Sequence, residues 1–522
     1  MYLTQSLQRS MQQTPECVVT SFRGRRRTFR EFGSRVARLA GALRSVGMAP
    51  GDRVGMLALN SDRYLEYMMA VWWGGGVLNP VNIRWSVPEI VYSLDDCDTG
   101  ILIVDDAFLR MVDGIRRRAK AAPVFIYAGE ADEAPEGMLS YEALIAQGDA
   151  IEDAGRGGDD LATVMYTGGT TGFPKGVMQS HLNLWSSAVQ RMAESPPPAH
   201  GASLHIAPLF HIAGLGRALI QFIAGGTHAI LPGFEPVDVL RTIESEAVSD
   251  TLLVPSMIQM LLAHPDVDRY DLSSLQRLTY GASPSAASTI EQLLQKLPRI
   301  ELFHAYGLTE ACPIVSANPP QNHDDAARSS GLSRSVGRGG YGVNVKIVDP
   351  QGREVPRGTV GEVIVRGPNI MLGYWNKPEE TASALGDGWL WTGDGAYMDE
   401  AGYLFIVDRM KDMIVSGGEN VYSAEVENVI ARHPAVAMCA VIGVPHETWG
   451  EAVHAVVVAR PGSAVSEEQI RAHCHDFIAG YKCPKTVEFR AELPLSGAGK
   501  VLKRELRAAK AASPANSIPA SS

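Results

Sequence analysis

Cysteine is scarce in this chain: there are six in 522 residues, and none stands in a C-x-x-C pair. This argues against a disulfide-stapled secreted domain, so we expect reduced thiols and a cytoplasmic location. The opening segment, MYLTQSLQRSMQQTP, lacks the apolar core of a signal peptide. The most apolar stretch, residues 204–234, is interrupted by polar side chains. We therefore expect it to be buried core, with no integral membrane segment.

Positive charge is also in deficit, because 47 lysines and arginines stand against 58 aspartates and glutamates, a formal net charge of −11. An acidic chain is a poor candidate for general nucleic-acid binding, so we expect no nucleic-acid partner. A site for a polyanion such as ATP must then be locally basic or built from backbone N–H groups. The oligomeric state stays open, and a homodimer is compatible with the sequence.

The hydrophobic pattern predicts an α/β fold. Strand-like and helix-like runs alternate through the first two thirds of the chain, which favours layered, largely parallel sheets. From about residue 335, short strands and glycine-rich turns predict a β-rich subdomain, and a short α+β segment follows Arg409. We predict a large N-terminal domain at 1–409, a small C-terminal domain at 410–510 and a disordered, Pro/Ser-rich tail at 511–522.

The strongest local signal is the segment YTGGTTGFPKG, residues 166–176, which combines three threonines, four glycines and one lysine. Glycines let backbone N–H groups approach phosphate oxygens closely, and the lysine supplies a point charge. The segment is not a Walker A loop, because Pro174 precedes Lys175 and Gly176 follows it. By itself, this composition also fits an ordinary flexible loop.

Seven further motifs follow in order along the chain. They are PLFH (208–211), YGAS (280–283), HAYGLTE (304–310), TGD (392–394), DRMKD (408–412), GGEN (417–420) and GAGK (497–500). Together with the glycine-rich loop, this set closely resembles the adenylate-forming superfamily. That superfamily includes acyl-CoA synthetases, aryl-CoA ligases, firefly luciferase and peptide-synthetase adenylation domains. The resemblance spans about residues 5–510 and departs at Gly169, where the family usually has serine.

The resemblance implies an AMP-forming acyl-CoA ligase that uses ATP, Mg²⁺ and coenzyme A as co-substrates. The loop would hold the β- and γ-phosphates through Thr167, Gly168, Gly169, Thr170, Thr171, Gly172 and Lys175. Thr309 would contact phosphate, and Glu310 would hold Mg²⁺, a hard cation that prefers oxygen ligands. The implied catalytic residues are Lys175, His211, Thr309, Glu310 and Lys500.

The resemblance also assigns the rest of the nucleotide site. Gly281, Ala282 and Tyr306 would line the adenine slot, and Ser283, His304, Ala305 and Gly307 are further implied nucleotide-binding residues. Asp394 would accept the ribose hydroxyls, and Arg409 would also reach the nucleotide. Without the family context, Asp394 is equally well explained as a turn aspartate and Arg409 as a surface ion-pair partner.

The resemblance assigns the remaining residues to two half-reactions, adenylation and thioester formation. In the family, a lysine at the position of Lys500 bridges the substrate carboxylate and the α-phosphate during adenylation. The C-terminal lid domain then rotates about a hinge, here Lys411, and the Gly417–Gly418 loop lines the tunnel for the CoA arm. A plain β-turn is the alternative for those glycines. His211 is either a satisfied core histidine or a gate at the acyl pocket.

The acid is the least defined partner. We expect its pocket near Trp185, His211, Gly214 and residues 305–308, where the residues are apolar or small. This favours a medium- or long-chain fatty acid, and the alternative is an aryl acid, either a hydroxycinnamate such as ferulate or a benzoate. Two further alternatives are a luciferase-like oxygenase and a non-catalytic nucleotide- or acyl-binding protein.

Overall fold

The computed structural model describes residues 1–167, 174–198, 200–281, 287–417, 419–496 and 501–512. Nine residues of the predicted site lie outside these ranges: Gly168, Gly169, Thr170, Thr171, Gly172, Ala282, Ser283, Gly418 and Lys500. The predicted disordered tail lies almost wholly outside them as well.

Helices occur throughout the described ranges. They are α1 (Gln5–Gln13), α2 (Phe29–Ser45), α3 (Asp62–Trp73), α4 (Val87–Asp96), α5 (Leu109–Arg118), α6 (Tyr141–Gln147), α7 (His181–Glu194), α8 (Ile212–Ala224), α9 (Pro236–Ser245), α10 (Pro255–Leu262), α11 (Ala287–Lys296), α12 (Asp325–Ser330), α13 (Pro378–Ala384), α14 (Ser423–Ile430), α15 (Glu467–His475) and α16 (Lys503–Ala512). None of these helices is long and apolar enough to cross a membrane.

The strands alternate with these helices for most of the chain. They are β1 (Val18–Phe22), β2 (Arg25–Thr28), β3 (Arg53–Leu57), β4 (Val77–Pro80), β5 (Thr99–Val104), β6 (Val124–Tyr127), β7 (Leu139–Ser140), β8 (Leu161–Thr167), β9 (Lys175–Ser180), β10 (Ala202–His205), β11 (Thr227–Ile230), β12 (Val248–Leu253), β13 (Arg277–Gly281), β14 (Glu301–Gly307), β15 (Ile314–Asn318), β16 (Arg338–Gly339), β17 (Asn344–Val348), β18 (Gly361–Arg366), β19 (Gly373–Tyr374), β20 (Leu385–Gly386), β21 (Trp389–Met398), β22 (Leu404–Arg409), β23 (Ile414–Ser416), β24 (Glu419–Val421), β25 (Val436–His446), β26 (Gly450–Ala459) and β27 (Thr486–Phe489). This alternation confirms the predicted mixed α/β fold.

Two large sheets dominate the N-terminal part. One has nine strands in the order β16-β15-β14-β13-β12-β10-β11-β1-β2, with parallel pairing from β14 to β1. The other has eight strands in the order β19-β9-β8-β4-β3-β5-β6-β7, with antiparallel pairing only at the β8, β9 and β19 side among the described pairs. In parallel strands the carboxyl ends meet at one edge, where loops carry polar residues.

The remaining strands form two five-stranded sheets. One has the order β17-β18-β21-β20, with β22 paired to β21. The other, in the C-terminal part, has the order β24-β23-β26-β25, with β27 paired to β26. The small C-terminal domain predicted from the sequence is therefore present as an α+β assembly.

The described residues divide into two compact units. The first unit is drawn from Met1–Ala282, Gln292–Lys346 and Ile364–Thr392, and the second from Ser283–Glu291, Ile347–Val363 and Gly393–Ser522. Each unit has its own hydrophobic core, built around α2, α3 and α8 in the first and around β25, β26 and α14 in the second. The domain boundary and hinge near Lys411 stay a prediction.

The sequence explains where the helices begin. Thr28 and Ser180 each close a capping box at the start of α2 and α7, in which the side chain accepts a backbone N–H that the helix leaves unpaired. Ser61 caps α3 without a capping box, through a side chain that accepts the N–H of Tyr64. Gly225 ends α8 in the left-handed conformation that favours glycine.

Candidate functional site

The glycine-rich loop joins the two strands of a hairpin. β8 and β9 pair antiparallel, so that Thr167 lies opposite Lys175 at the last described positions before the loop. This confirms that the chain continues as a strand after Lys175, unlike a Walker A loop, where a helix begins. The hairpin brings a hydroxyl and a cation together at the mouth of the loop.

Lys175, Tyr374 and Glu310 form a connected series within the first unit. The Lys175 ammonium lies 5.0 Å from the centroid of the Tyr374 ring, a cation–π arrangement. The Tyr374 hydroxyl donates a hydrogen bond of 2.8 Å to Oε1 of Glu310. The tyrosine therefore links the predicted phosphate-binding lysine to the predicted metal-binding carboxylate, residues that are 135 positions apart in the chain.

Hydrogen bonds to backbone carbonyls fix the turn that carries Glu310. Gln179 of β9 donates through Nε2 to the carbonyl of Thr309 at 2.7 Å, and the Met371 N–H donates to the carbonyl of Glu310 at 2.9 Å. Asn369, fully buried, donates to the carbonyls of Ala311 and Ile314, both at 2.9 Å. Because buried carbonyls need partners, these side chains fix the path of the turn.

Gly307 shows why this turn needs a glycine. A Cβ at this position would stand 1.7 Å from the carbonyl oxygen of Pro313, closer than any real contact. The strand β14 can therefore pass under the returning chain only with hydrogen at that position. Thr309, which follows two residues later, is 7% exposed.

The chemistry around Glu310 fits a Mg²⁺ ion that arrives with its nucleotide. Within the described ranges, no group of three or more His, Cys, Asp or Glu side chains is placed to hold a metal on its own. Mg²⁺ often takes one or two protein carboxylates and completes its shell with phosphate oxygens and water. Glu310, half-buried and oriented by Tyr374, is suited to be that carboxylate.

An aromatic pair defines the predicted adenine side. Tyr280 of β13 and His304 of β14 stack with ring centroids 4.6 Å apart and planes inclined by 8°. The Nδ1–H of His304 donates to the carbonyl of Ser335 at 3.0 Å. Burial and the nearby His323 lower the pKa of His304 to about 4, so it is neutral at physiological pH. Neutral rings of this kind suit contact with an uncharged base.

His323, which gave no signal in the sequence, holds the Tyr280 ring in place. Its Nδ1 lies 3.0 Å from the carbonyl of Pro319, so Nδ1 carries the proton and Nε2 accepts from the Tyr280 hydroxyl at 2.9 Å. Burial lowers the pKa of His323 to about 4, which keeps this arrangement neutral. Beside Tyr280, a Cβ on Gly281 would stand 2.2 Å from the Ala305 carbonyl oxygen, so this close approach requires glycine.

His211 caps the helix that was expected to border the acyl pocket. Its Nδ1 accepts the Ala213 N–H at 3.2 Å at the start of α8, and the residue is half-buried. A Cβ on Gly214 would stand 2.2 Å from the Pro208 carbonyl oxygen, so glycine permits a close approach here. His211 is thus a helix cap and is not enclosed in the core, while its role as a gate stays a prediction. Trp185 is partly buried against the main core.

The second unit contains the predicted ribose-side residues. Asp394 and Arg409 face each other across β21 and β22, and Arg409 Nε lies 2.6 Å from Asp394 Oδ1. Asp394 is 8% exposed and Arg409 40% exposed. The N–H of Gly393 donates to Glu362 at 2.9 Å, which fixes the bend before the aspartate. The sequence placed both residues at the site but did not predict that they pair.

Lys411 and Gly417 occupy exposed turns of the same unit. Gly417 begins the tight turn between β23 and β24 with a φ of +63°, and its N–H donates to the Trp449 carbonyl at 2.9 Å. A hairpin turn with positive φ is therefore sufficient to explain this glycine locally. Gly418, its predicted companion at the CoA passage, and Lys500, predicted to act in adenylation, lie beyond the part of the chain that is described.

Comparison with known proteins matches the model for AMP-binding enzymes at residues 7–375 and that for the AMP-binding enzyme C-terminal domain at residues 425–500. A feruloyl-CoA synthase of Amycolatopsis sp. is 39% identical over 96% of this chain and 97% of its own. A medium/long-chain-fatty-acid–CoA ligase of Mycobacterium tuberculosis, FadD8, is 36% identical over 92% of this chain and 85% of its own. The structure of ATP-bound MatB from Rhodopseudomonas palustris, 31% identical, superposes with a TM-score of 0.87 over 98% of this chain and 99% of that one.

Proposed function

We propose how the site works from the premise that the chain belongs to the AMP-binding enzyme family and is an AMP-forming acid–thiol ligase that uses ATP, Mg²⁺ and coenzyme A. A carboxylic acid attacks the α-phosphorus of ATP, which forms an acyl-adenylate and releases pyrophosphate. The CoA thiol then takes the acyl group and releases AMP. Because a carboxylate and ATP repel each other, the protein must neutralise charge and align the attack.

The observation that carries this proposal is the series Lys175, Tyr374 and Glu310. It supports a phosphate site in which Lys175 and the loop hydroxyls neutralise the β- and γ-phosphates. Glu310 would hold Mg²⁺, which supplies further positive charge along the phosphates. Tyr374 is the positioning residue, since it touches both the lysine and the carboxylate.

In the first unit, Tyr306 and the wall formed by Tyr280 and His304 would receive the adenine. In the second unit, Asp394 would accept the ribose hydroxyls. The Asp394–Arg409 ion pair supports this role because it orients the carboxylate and leaves the guanidinium 40% exposed.

The residues proposed to divide adenylation from thioester formation draw their support from the resemblance and from local geometry. Lys500 would bridge the carboxylate and the α-phosphate during adenylation. Lys411 would act as the hinge of a mobile lid, and its exposed position in a turn is compatible with a change of backbone angle. Gly417 and Gly418 would line the passage for the CoA arm, for which the tight β23–β24 turn offers little bulk.

The acid is either aryl or fatty. The chain is 39% identical to a feruloyl-CoA synthase and 36% identical to a medium/long-chain-fatty-acid–CoA ligase. This small difference in identity does not favour one class of acid strongly over the other. The fatty-acid preference expected from the sequence rested on apolar residues near Trp185 and Gly214. The aryl alternative has the similarity to the feruloyl-CoA synthase in its favour.

Pyrophosphate release with a panel of acids tests the proposed function. Aryl acids and fatty acids of graded length are each incubated with ATP and Mg²⁺, with and without CoA. We expect pyrophosphate with the correct class of acid, and AMP with the acyl-CoA only when CoA is present. ATP binding without pyrophosphate release for any acid would contradict the proposal and favour a non-catalytic binding protein.

A further inference from the structure

A row of polar side chains crosses the nine-stranded sheet where apolar core is expected. Ser203 of β10 pairs with His228 of β11 on one side and Asp250 of β12 on the other, and Asp250 pairs with Arg277 of β13. Paired residues of adjacent strands point to the same face of a sheet. We call this row, with Arg191 of α7 and Arg217 of α8 that contact the same face, the polar layer.

The arginines of the polar layer are buried and engaged. Arg217, 6% exposed, donates through Nε to the Ser203 hydroxyl at 3.1 Å and forms an ion pair with Asp250. Arg191, 3% exposed, donates through Nη1 to the Ser195 carbonyl at 3.1 Å. Arg277 pairs with Glu301 at 2.8 Å. Such groups are costly to bury, so their presence here needs an explanation.

The polar layer lies directly below the expected acyl pocket. On β13, Arg277 of the polar layer precedes Gly281 by four residues on the same face, a depth of about 13 Å, and Thr279 lies half-way between them, at about 6.6 Å. Arg191 reaches this level, with Nη2 3.4 Å from Thr279 Oγ1. On α8, Arg217 follows Gly214 by three residues, about 4.5 Å further along the helix.

Parts of the polar layer lack hydrogen-bond partners. Asp250 Oδ1 and His228 Nε2 are buried and have no hydrogen bond to the described part of the chain, whereas buried Arg217 Nη2 is engaged by Asp250 Oδ2 in the ion pair. Burial differs within the polar layer, because Ser203 and His228 are fully buried whereas Arg217 is 6% exposed. The Arg217 side chain thus retains some accessible surface, which Ser203 and His228 do not.

The polar layer contains three arginines, Arg191, Arg217 and Arg277, and one aspartate, Asp250. Burial and nearby Arg217 lower the pKa of Arg191 to about 10, so it still carries its proton at neutral pH. Burial lowers the pKa of the neighbouring His205 to about 3, so that ring is neutral. An apolar chain long enough to pass this level would have to strip water and partners from a guanidinium and a carboxylate.

We propose that Arg217, paired with Asp250 and flanked by Arg191, closes the inner end of the acyl pocket and is a specificity-determining residue. It selects short acids that carry a polar oxygen at the end opposite the carboxyl group, the chemistry of hydroxyaryl and methoxyaryl acids. It disfavours long apolar acids. This inference rests on the proposed function, since it concerns the acid that the ligase activates.

The test compares kcat/KM for three acids: 4-hydroxycinnamate, cinnamate and decanoate. The wild-type enzyme should prefer 4-hydroxycinnamate to decanoate by about 100-fold or more and to cinnamate by about tenfold or more, because a buried donor left without its partner penalises the analogue. In the double variant Arg217→Met/Asp250→Asn, which removes both charges together, each ratio should fall by at least about tenfold.

A second arginine–carboxylate ion pair, in which Glu142 is 45% exposed, provides the control. Arg63 of α3, whose side chain is 8% exposed, binds Glu142 through Nε at 2.9 Å in the same unit but away from α7 and α8. The variant Arg63→Met/Glu142→Gln should leave the acid ratios unchanged. Thermal unfolding of both double variants shows whether each is folded.

The outcomes are distinguishable. A wild-type enzyme that uses decanoate as well as 4-hydroxycinnamate would overturn the inference but leave the ligase function intact, and this result needs no variant. A folded Arg217→Met/Asp250→Asn variant with wild-type ratios would overturn it too. Absence of pyrophosphate release with every acid would instead contradict the proposed function itself.

Discussion

The two units hold their predicted nucleotide-binding residues in different ways. In the first, the turn of Glu310 is fixed by Gln179 and by buried Asn369, and its carboxylate by Tyr374. In the second, Asp394 is paired with Arg409, while Lys411 stands exposed in a turn. A phosphate site gains from groups that are fixed before the ligand binds, whereas residues that serve two half-reactions must be able to change partners.

The largest expected effect separates the half-reactions within the second unit. Lys500→Ala should lower adenylate formation more than about 10³-fold, because it removes the cation proposed to bring two anions together. Thioester formation from supplied acyl-adenylate should remain near the wild-type rate. Pyrophosphate exchange measures the first step and acyl-CoA formation from adenylate the second. Lys510→Ala, an exposed lysine of α16, is the control and should affect neither.

Lys411→Pro completes this test with the opposite loss. Proline fixes φ at the proposed hinge and restricts Met410 before it. The variant should still make and retain acyl-adenylate but transfer it slowly to CoA. If both variants lose the same half-reaction to the same degree, the proposed hinge at Lys411 is wrong for this protein. The difference between a fixed first unit and an adaptable second unit would then have no role in separating the two half-reactions.

Lys175→Ala should produce the next largest effect, a fall of about 10²–10³-fold in kcat/KM for ATP. The reason is that Lys175 is the lysine of the glycine-rich hairpin and its ammonium is positioned by Tyr374. Initial rates against ATP concentration measure it. Lys120→Ala, an exposed lysine in the first unit, should change nothing. Unchanged kinetics in Lys175→Ala would show that another cation neutralises the phosphates.

The sequence points to candidate residues for the chemistry but not to the residues that hold them in the structure. Lys175 and Glu310 are predicted to act because each stands in a compact motif, and their roles stay a prediction. Tyr374 and Asn369 gave no signal, because their partners are about 60 residues away and a lone tyrosine or asparagine is compatible with many environments. Only the folding of β9 against β19 makes Tyr374 a neighbour of both.

Helix α8 shows the same limit in the acyl region. Its apolar periodicity predicted a buried helix, and the structure confirms one. The pattern did not reveal that Arg217 within it faces Ser203 and Asp250, since these partners come from two separate strands. In a sequence, a buried charged residue appears only as an interruption of an apolar run. The strand register is needed to identify the polar side chains with which it pairs.

The smallest expected effect concerns the link between the lysine and the carboxylate in the first unit. Glu310→Gln should raise the half-saturating Mg²⁺ concentration by about tenfold or more, because a neutral amide is a poor ligand for a hard dication. Tyr374→Phe should raise it by only about three- to tenfold, the loss of one hydrogen bond that orients the carboxylate. Mg²⁺ titrations of the initial rate measure both.

Tyr374→Phe sharpens the contrast between the units because it separates two contacts of one side chain. Phenylalanine keeps an aromatic face beneath Lys175, so the apparent affinity for ATP at saturating Mg²⁺ should stay close to that of the wild type. Tyr127→Phe, which removes another hydroxyl bonded to a carboxylate in the same unit, should leave the Mg²⁺ titration unchanged. A Tyr374→Phe titration identical to the wild type would show that Glu310 is held by its backbone alone, and the fixed site would then depend on Gln179 and Asn369 rather than on the tyrosine.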